Sequence, residues 1–558
     1  MMRAREPGHP LEDKMRSRFV CLLGSLMALV LSAGAGEARG KADPHAGHAM
    51  GVVDFPVTCS EEAQKEFTRA ITFLHHMTYP QAREAFKQTI KTAPECAMAH
   101  WGFAMTFFQP LWPTRPSPAA LQQGWEAVEK AKALQAPTER ERLLVAAAEA
   151  FFLEPASPDY WLRIRRWEAA MEKAYAVLPD DLEVSAFYAL AHLATAPANT
   201  ISQAHSDRAA GILLGIYKRN PDHPGAMHYL VHANDVPGRE RESLEITRKY
   251  EAVAPHNPHA LHMPTHIYTR LGDWNGVIRG NLKAAVAALD HPAGDKGEYV
   301  WDEFAHAIEY LVYAELQKGA DDRAAAQLKR LRGTARLEPT FKTAFHLAST
   351  QARSALERRA WKEAMSIVPR EPATLDWDRF TWPEAIVHFA RGLGAAQLGK
   401  LEEAKAAGER LEQLESATGK TGEELFTRNI RVLRLELAAW VAHRERQTES
   451  SLRLMREAAE LEASTPKHAV TPGPTLPADE QLGDLLMELK QASEALAAYK
   501  RAMDLYPRRF NSLLGAARAS IALGDKAMAS DFYKTLLEVA DGGTRQPALQ
   551  EARKYVAQ

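Results

Sequence analysis

Apolar residues recur every three or four positions along most of the chain, with Ala, Leu, Glu, Lys and Arg filling the intervals. That spacing predicts helices from end to end, and alternating runs between hairpin turns are hard to find. The clearest unit lies near the C-terminus. There Pro477-Ala-Asp-Glu-Gln-Leu-Gly483 opens a helix, and Ala495, Tyr499, Ala502 and Pro507 follow at spacings of four, three and five. Small residues let paired helices approach closely, and the proline ends the second helix because it has no N–H to continue the ladder. Ala82, Phe86 and Pro94 repeat the pattern early in the chain, and Ala99-His-Trp101-Gly102 begins the next unit. Gly272 with Asp273-Trp274, Gly399-Lys400 with Ala404, and Gly524 with Tyr533 mark further turns.

This pattern resembles the tetratricopeptide repeat, whose period is about 34 residues. It implies an all-α fold, a right-handed superhelical solenoid of about twelve antiparallel helix pairs stacked on their neighbours. Pro-rich or polar connections near 110–118, 194–200, 290–297, 368–382 and 464–477 lengthen loops without breaking the stack. The reading divides the mature chain into repeats over 59–367, an irregular connection at 368–381 and repeats over 382–558. One continuous superhelix is expected, with two lobes parting at 368–382 as the alternative.

Composition narrows the classes. The 558 residues are 46 % hydrophobic and 25 % charged, ordinary globular values. Lys plus Arg (69) nearly balance Asp plus Glu (71), and no long run of one sign gives the footprint of a nucleic-acid binder. Met15-Arg-Ser-Arg18, the apolar stretch Phe19 to Ala33 and the small-x-small Ala33-Gly34-Ala35 together read as a secretion signal over 1–35, with 1–14 as an over-extended start. The apolar stretch is shorter than the roughly 20 residues of a spanning helix, so no membrane span is expected. Cys21 lies too early for a lipoprotein. The mature chain then belongs in the periplasm or outside the cell, beginning with a flexible His-containing tail over 36–58. In that oxidising compartment Cys59 and Cys96 are expected to pair, with two buried thiols as the alternative. Each precedes the first helix of its repeat, and adjacent parallel helices bring such positions to the roughly 5.5 Å Cα separation of a disulfide.

From Cys59 to its end the chain resembles a group of exported bacterial tetratricopeptide proteins of no established activity. The shared features are Phe55-Pro-Val-Thr-Cys59, Cys96-Ala-Met-Ala-His-Trp-Gly102, His262-Met-Pro-Thr-His266-Ile and His388-Phe-Ala-Arg-Gly-Leu-Gly394. The wider repeat resemblance implies a scaffold that takes a protein or peptide in its concave groove.

The sharpest chemistry is a paired histidine array. Pro221-Asp-His-Pro-Gly-Ala-Met-His228-Tyr-Leu-Val-His232 aligns without a gap on Pro255-His-Asn-Pro-His-Ala-Leu-His262-Met-Pro-Thr-His266. Each pair is spaced i, i+4, which puts both rings on one helical face. Counted back from Gly238 and Gly272, the histidines take the fifth and ninth places of their repeats, which the resemblance implies line the groove. Four imidazoles on adjacent helices suit zinc or copper(II). His306 and Glu309 on the next leading helix are further candidate ligands, Glu309 alternatively orienting a histidine. His259 and Asp235 are neighbouring candidates for the same site and, with Tyr313, are expected along the groove.

Two other readings stand beside the metal. The rings serve as polar groove walls hydrogen-bonded to Tyr229, Tyr268 or Tyr313, with Pro264 spoiling the facing geometry; or they do general acid–base chemistry. A metal-dependent hydrolase is the enzymatic alternative, although Tyr229 stands where a His-Glu-x-x-His motif has its glutamate. His45-Ala-Gly-His48-Ala-Met50 suits copper capture or is simply a soluble tail. His75-His76 reads as capping or packing, and Trp101, Trp112 and Trp274 as packing between helices. No phosphate-cradling Gly-rich loop or Gly-x-Ser-x-Gly elbow is present in the sequence.

Overall fold

The computed structural model describes residues 47–294 and 296–558. The secretion segment at 1–35 and His45 lie outside the described residues. Among the described residues twelve antiparallel helix pairs follow one another, from Glu61–His75 with Tyr79–Thr92 to Phe510–Ala522 with Lys526–Val539, and Gln546–Val556 closes the array. Among the described residues the β pairing amounts to two isolated bridges, Ala293 with Tyr299 and Val300 with Leu337. The fold is an all-α, tetratricopeptide-like solenoid, and His48–Gln558 forms one compact unit. No helix among the described residues is long and apolar enough to cross a membrane.

Local chemistry sets the helix ends. Ser60, Ser117, Asp159, Asp181 and Ser202 accept backbone N–H groups of their own first turns, and Thr138 with Glu141 forms a reciprocal capping box. Between successive helices, within a pair or from one pair to the next, a glycine on one receives an aromatic ring from the other. A Cβ on Gly102 would meet Phe86 at 2.1 Å, and one on Gly483 would meet Tyr499 at 2.6 Å. This close approach is what the small–aromatic spacing encodes. Cys59 and Cys96 are joined in a disulfide with Cα atoms 5.4 Å apart, tying the first two repeats at their entrances.

The structure corrects two expectations. Residues 48–58 are no flexible tail: Val53 and Phe55 are buried, Val52 N–H donates to the Asp222 carbonyl, and the Met50 carbonyl accepts from His76 Nε2. The irregular connections also do more than lengthen loops. Arg115, in the 106–117 connection, pairs with Glu423, 308 residues away. The 464–477 connection reaches back to the middle repeats, where Tyr310 donates to the Thr471 carbonyl and Arg353 to the carbonyl of Pro474. Tyr268, Trp274 and Tyr310 share an apolar cluster with Phe510, Leu513 and Tyr533 of the last full pair. Chain that would bound an open groove thus fills the inner face, because these apolar and charged groups find partners across it.

Gly102→Ala is expected to cost about 1–3 kcal/mol by overpacking against Phe86. Gly211→Ala, on an exposed helical position with nothing within 4 Å, is expected to gain roughly 0.5–1 kcal/mol from helix propensity. Thermal melts of the two variants would show midpoints moving in opposite directions; equal shifts would contradict this packing.

Candidate metal centre

Helix Pro224–Asn234 carries His228 and His232. The equivalent helix one repeat on is in two pieces, Pro258–His262 and Pro264–Leu271. Pro264 interrupts the hydrogen-bond ladder, as a residue without an N–H must. Met263 nonetheless keeps helical backbone angles, and Thr265 Oγ1 donates to the His262 carbonyl at 2.7 Å. The face survives, with the His262 and His266 rings 4.9 Å apart. Helix Glu303–Gln317 then adds His306, and Phe341–Glu357 adds His346.

The structure brings His228, His232, His262 and His266 together, but in two groups of three. His228, His232 and His259 each place one ligand atom within 4.8 Å of the other two, and so do His262, His266 and His306. His259 is therefore a member of the first triad. Every ring but His232, which is half-buried, is at most 1 % exposed. Trp112 covers one member of each triad, its ring 5.0 Å from His259 and 5.7 Å from His306.

The outer nitrogens fix the tautomers. A carbonyl or carboxylate only accepts, so a ring nitrogen facing one carries the proton. His228 Nδ1 faces the His75 carbonyl at 2.7 Å, His259 Nδ1 faces Glu303 at 3.1 Å, and His266 Nδ1 faces Asp235 at 2.8 Å. His262 Nδ1 faces Asn281 Oδ1 at 2.7 Å, and that amide is pinned because its Nδ2 donates to the Val277 carbonyl. His346 gives its Nδ1 proton to Glu309 at 2.5 Å and so accepts the Nδ1 proton of His306 at 3.1 Å.

All five rings thus turn an unprotonated Nε2 inward. His262 Nε2 and His266 Nε2 meet at 2.9 Å, His228 Nε2 and His259 Nε2 at 3.1 Å, and His306 Nε2 is buried without a partner. His232 Nε2 stands 3.2 Å from His228 Nε2. Two nitrogens bound to one ion at about 2.0–2.1 Å and roughly 90–110° lie about 2.9–3.4 Å apart, which matches these separations.

Burial and neighbouring charge act against protonation of five of the six triad rings. Burial, then neighbouring imidazoles, holds His228, His232 and His262 well below the ordinary histidine value, and burial and His262 do so for His306. Burial and Lys467 bring His266 down to about 4 against the pull of Asp235. Asp235 and Glu303 stay ionised despite burial because Lys467 and Arg270 face the first and Lys342 faces the second.

A third cluster, His75, Glu183 and His223, shows what a satisfied group looks like. His75 Nε2 and His223 Nε2 both donate to Glu183, at 2.7 and 3.1 Å. The other nitrogens accept, His75 Nδ1 from Tyr229 and His223 Nδ1 from the Ala226 N–H. Every site has its proton, and no cation is called for.

Several expected roles change. His259 and Tyr313 are buried and Asp235, at 7 % side-chain exposure, nearly so; none lines an open groove, because the 464–477 connection and Trp112 cover that face. Asp235 instead orients His266. Tyr313 accepts from Arg509 and faces away from the array, while Tyr310 packs 4.6 Å from the His262 ring. Glu309 orients His346 and is held by Ser349 and Arg353 rather than reaching a triad. Of the tyrosines expected to bond the four array histidines, none does: the partners are a carbonyl, an amide and a carboxylate. Trp112 packs on the histidines rather than only between helices. His346 escaped the sequence reading, though it lies 40 residues after His306 on the next leading helix; Asn281 and Trp112 sit on a trailing helix and a connection, where no spacing points to them.

No family model matches the sequence, and no curated protein matches it. Solved structures with a similar helical arrangement include the APC/C Cut9–Hcn1 hetero-tetramer, at 14 % identity and a TM-score of 0.36 over 89 % of this chain and 76 % of that one. Yeast Tom70 gives 11 %, 0.32, 89 % and 96 %, and the human IFIT1 dimer with m7Gppp-AAAA gives 11 %, 0.39, 83 % and 95 %. At that likeness nothing those proteins bind carries over to this chain.

The depressed histidines make the metal-free fold acid-sensitive. Unfolded rings take up protons below about pH 6.5 while the lowered folded rings do not, His266 holding out to about pH 4, so stability falls as pH drops through that window. Urea midpoints of metal-free protein are expected to decrease from about pH 7 to about pH 5; a constant midpoint would contradict the neutral assignment.

Proposed function

We propose that this chain is an exported helical scaffold that holds two transition-metal ions, zinc or copper, one in each histidine triad. One observation carries the reading: Nε2 atoms of buried imidazoles whose Nδ1 atoms already face acceptors meet each other at 2.9 and 3.1 Å. Neutral lone pairs repel at that distance unless a cation lies between them, and no proton is left to fill the role. Carboxylates and amides behind each ring fix its orientation, as the outer partners of metal-bound histidines do.

A partner-binding role fits another face. The leading helices Thr381–Gln397, Glu424–Arg444, Ala478–Glu488 and Phe510–Ala522 contribute to a half-open cleft of about 350 Å³. Trp361, Trp440, Asp484, Glu488 and Arg518 line it, a mix of indole and charge that suits a peptide segment. The hydrolase alternative lacks support, since Asp235, Glu303 and Glu309 are all committed to histidines and cations and leave no carboxylate free as a base.

Metal analysis of reconstituted mature protein is expected to give one ion per triad. His262→Ala should lose one ion and keep the other, and His228→Ala the converse. At ligand concentrations of about 100 Kd, each retained ion should add about 2.7 kcal/mol to unfolding stability. Metal-free protein that gains neither ions nor stability after incubation with zinc and with copper would sink the reading.

A further inference from the structure

Resting on the metal reading above, we propose that the two triads hold copper as a pair and that dioxygen is the ligand the two ions share. The donors are six imidazoles, with no thiolate or carboxylate in either triad. The nearby anions are already paired, Asp235 with Lys467 and Arg270, Glu303 with Lys342, and Glu309 with Arg353. Two divalent ions would bury twice the uncompensated charge of two monovalent ones, and buried unpaired charge is costly. Monovalent copper is content with three nitrogen ligands, whereas zinc held by three would also draw a water or other ligand into this buried space.

Access selects the ligand. Five of the six rings are at most 1 % exposed, and Trp112 and Tyr310 pack directly on them. A peptide or sugar has no way in; a diatomic gas needs only the breathing of packed side chains. The spacing suits such a ligand as well. His259 and His262 lie three residues apart on one helix and serve different triads, an axial offset of about 4.5 Å. The His232 and His266 rings, again one from each triad, are 5.9 Å apart. A two-atom ligand spans a gap of that order between two ions.

The step balances without another reactant. Each cuprous ion gives one electron, dioxygen accepts both, and the product is peroxide held between two cupric ions. Two copper–oxygen contacts form, the O–O bond order falls from two to one without cleavage, and no proton moves. No free base is required of the protein, consistent with the committed carboxylates around the site.

The test uses the full mature chain loaded anaerobically with cuprous ion and then exposed to dioxygen. One dioxygen should be taken up for every two coppers, with a new charge-transfer band in the near ultraviolet and no paramagnetic resonance signal, because the two cupric spins couple. His262→Ala and, as a second opening of the site, His259→Ala should each keep one copper, take up no stoichiometric dioxygen and give an isolated cupric signal after oxidation, with helical circular dichroism unchanged. Two bound coppers that stay reduced in air, or that oxidise to two uncoupled cupric signals, would overturn the shared ligand while leaving the metal sites standing. Failure to bind copper at all, with or without zinc binding, would overturn the pairing itself.

Discussion

The centre depends on where five protons are not. Each imidazole is a two-ended group, and once a fixed acceptor claims the proton at one end, the other end becomes a bare lone pair. Here the acceptors are a main-chain carbonyl, an amide locked by its own donor bond, and carboxylates held ionised by lysine and arginine. The same fold shows the opposite outcome at His75, Glu183 and His223, where every lone pair meets a donor. There every position is filled, whereas in the triads the inward Nε2 atoms meet one another.

Holding such rings in place takes more than nearest-neighbour stacking. The histidines sit on three successive leading helices, while their outer partners come from the first, sixth, seventh and eighth pairs and from the connection after Asn234. Buried ionic hubs join these parts to the far end of the array: Arg509 bonds Glu357, Glu480 and Tyr313, and Arg353 bonds Glu309 and the 464–477 connection. Removing one member of such a hub leaves a charge buried without its partner, which is the costly event for a network of this kind. The winding of the solenoid and the geometry of the triads are therefore one problem.

Much of this was legible in the residues. Period and small–aromatic spacing define the repeat because Gly102 and Gly483 make room for Phe86 and Tyr499. The 34-residue echo of His228 and His232 in His262 and His266 identifies the elements that converge. Sequence spacing could not show burial, because that follows from connections 100 to 300 residues away folding back over the inner face. Nor could it sort the rings into triads: His259 is one turn from His262 yet faces the other group, and His306 depends on His346 and Glu309 for its tautomer. Patterns along one helix reveal which side chains share a face; the partner of each outer nitrogen is a tertiary fact.

Anomalous diffraction from crystals grown with the metal addresses the lone-pair claim most directly. The account expects two peaks, one within bonding distance of Nε2 of His228, His232 and His259 and the other of Nε2 of His262, His266 and His306, with every Nδ1 contact kept. Peaks confined to surface histidines, or rings flipped so that Nε2 meets a protein donor and the interior holds no ion, would contradict it.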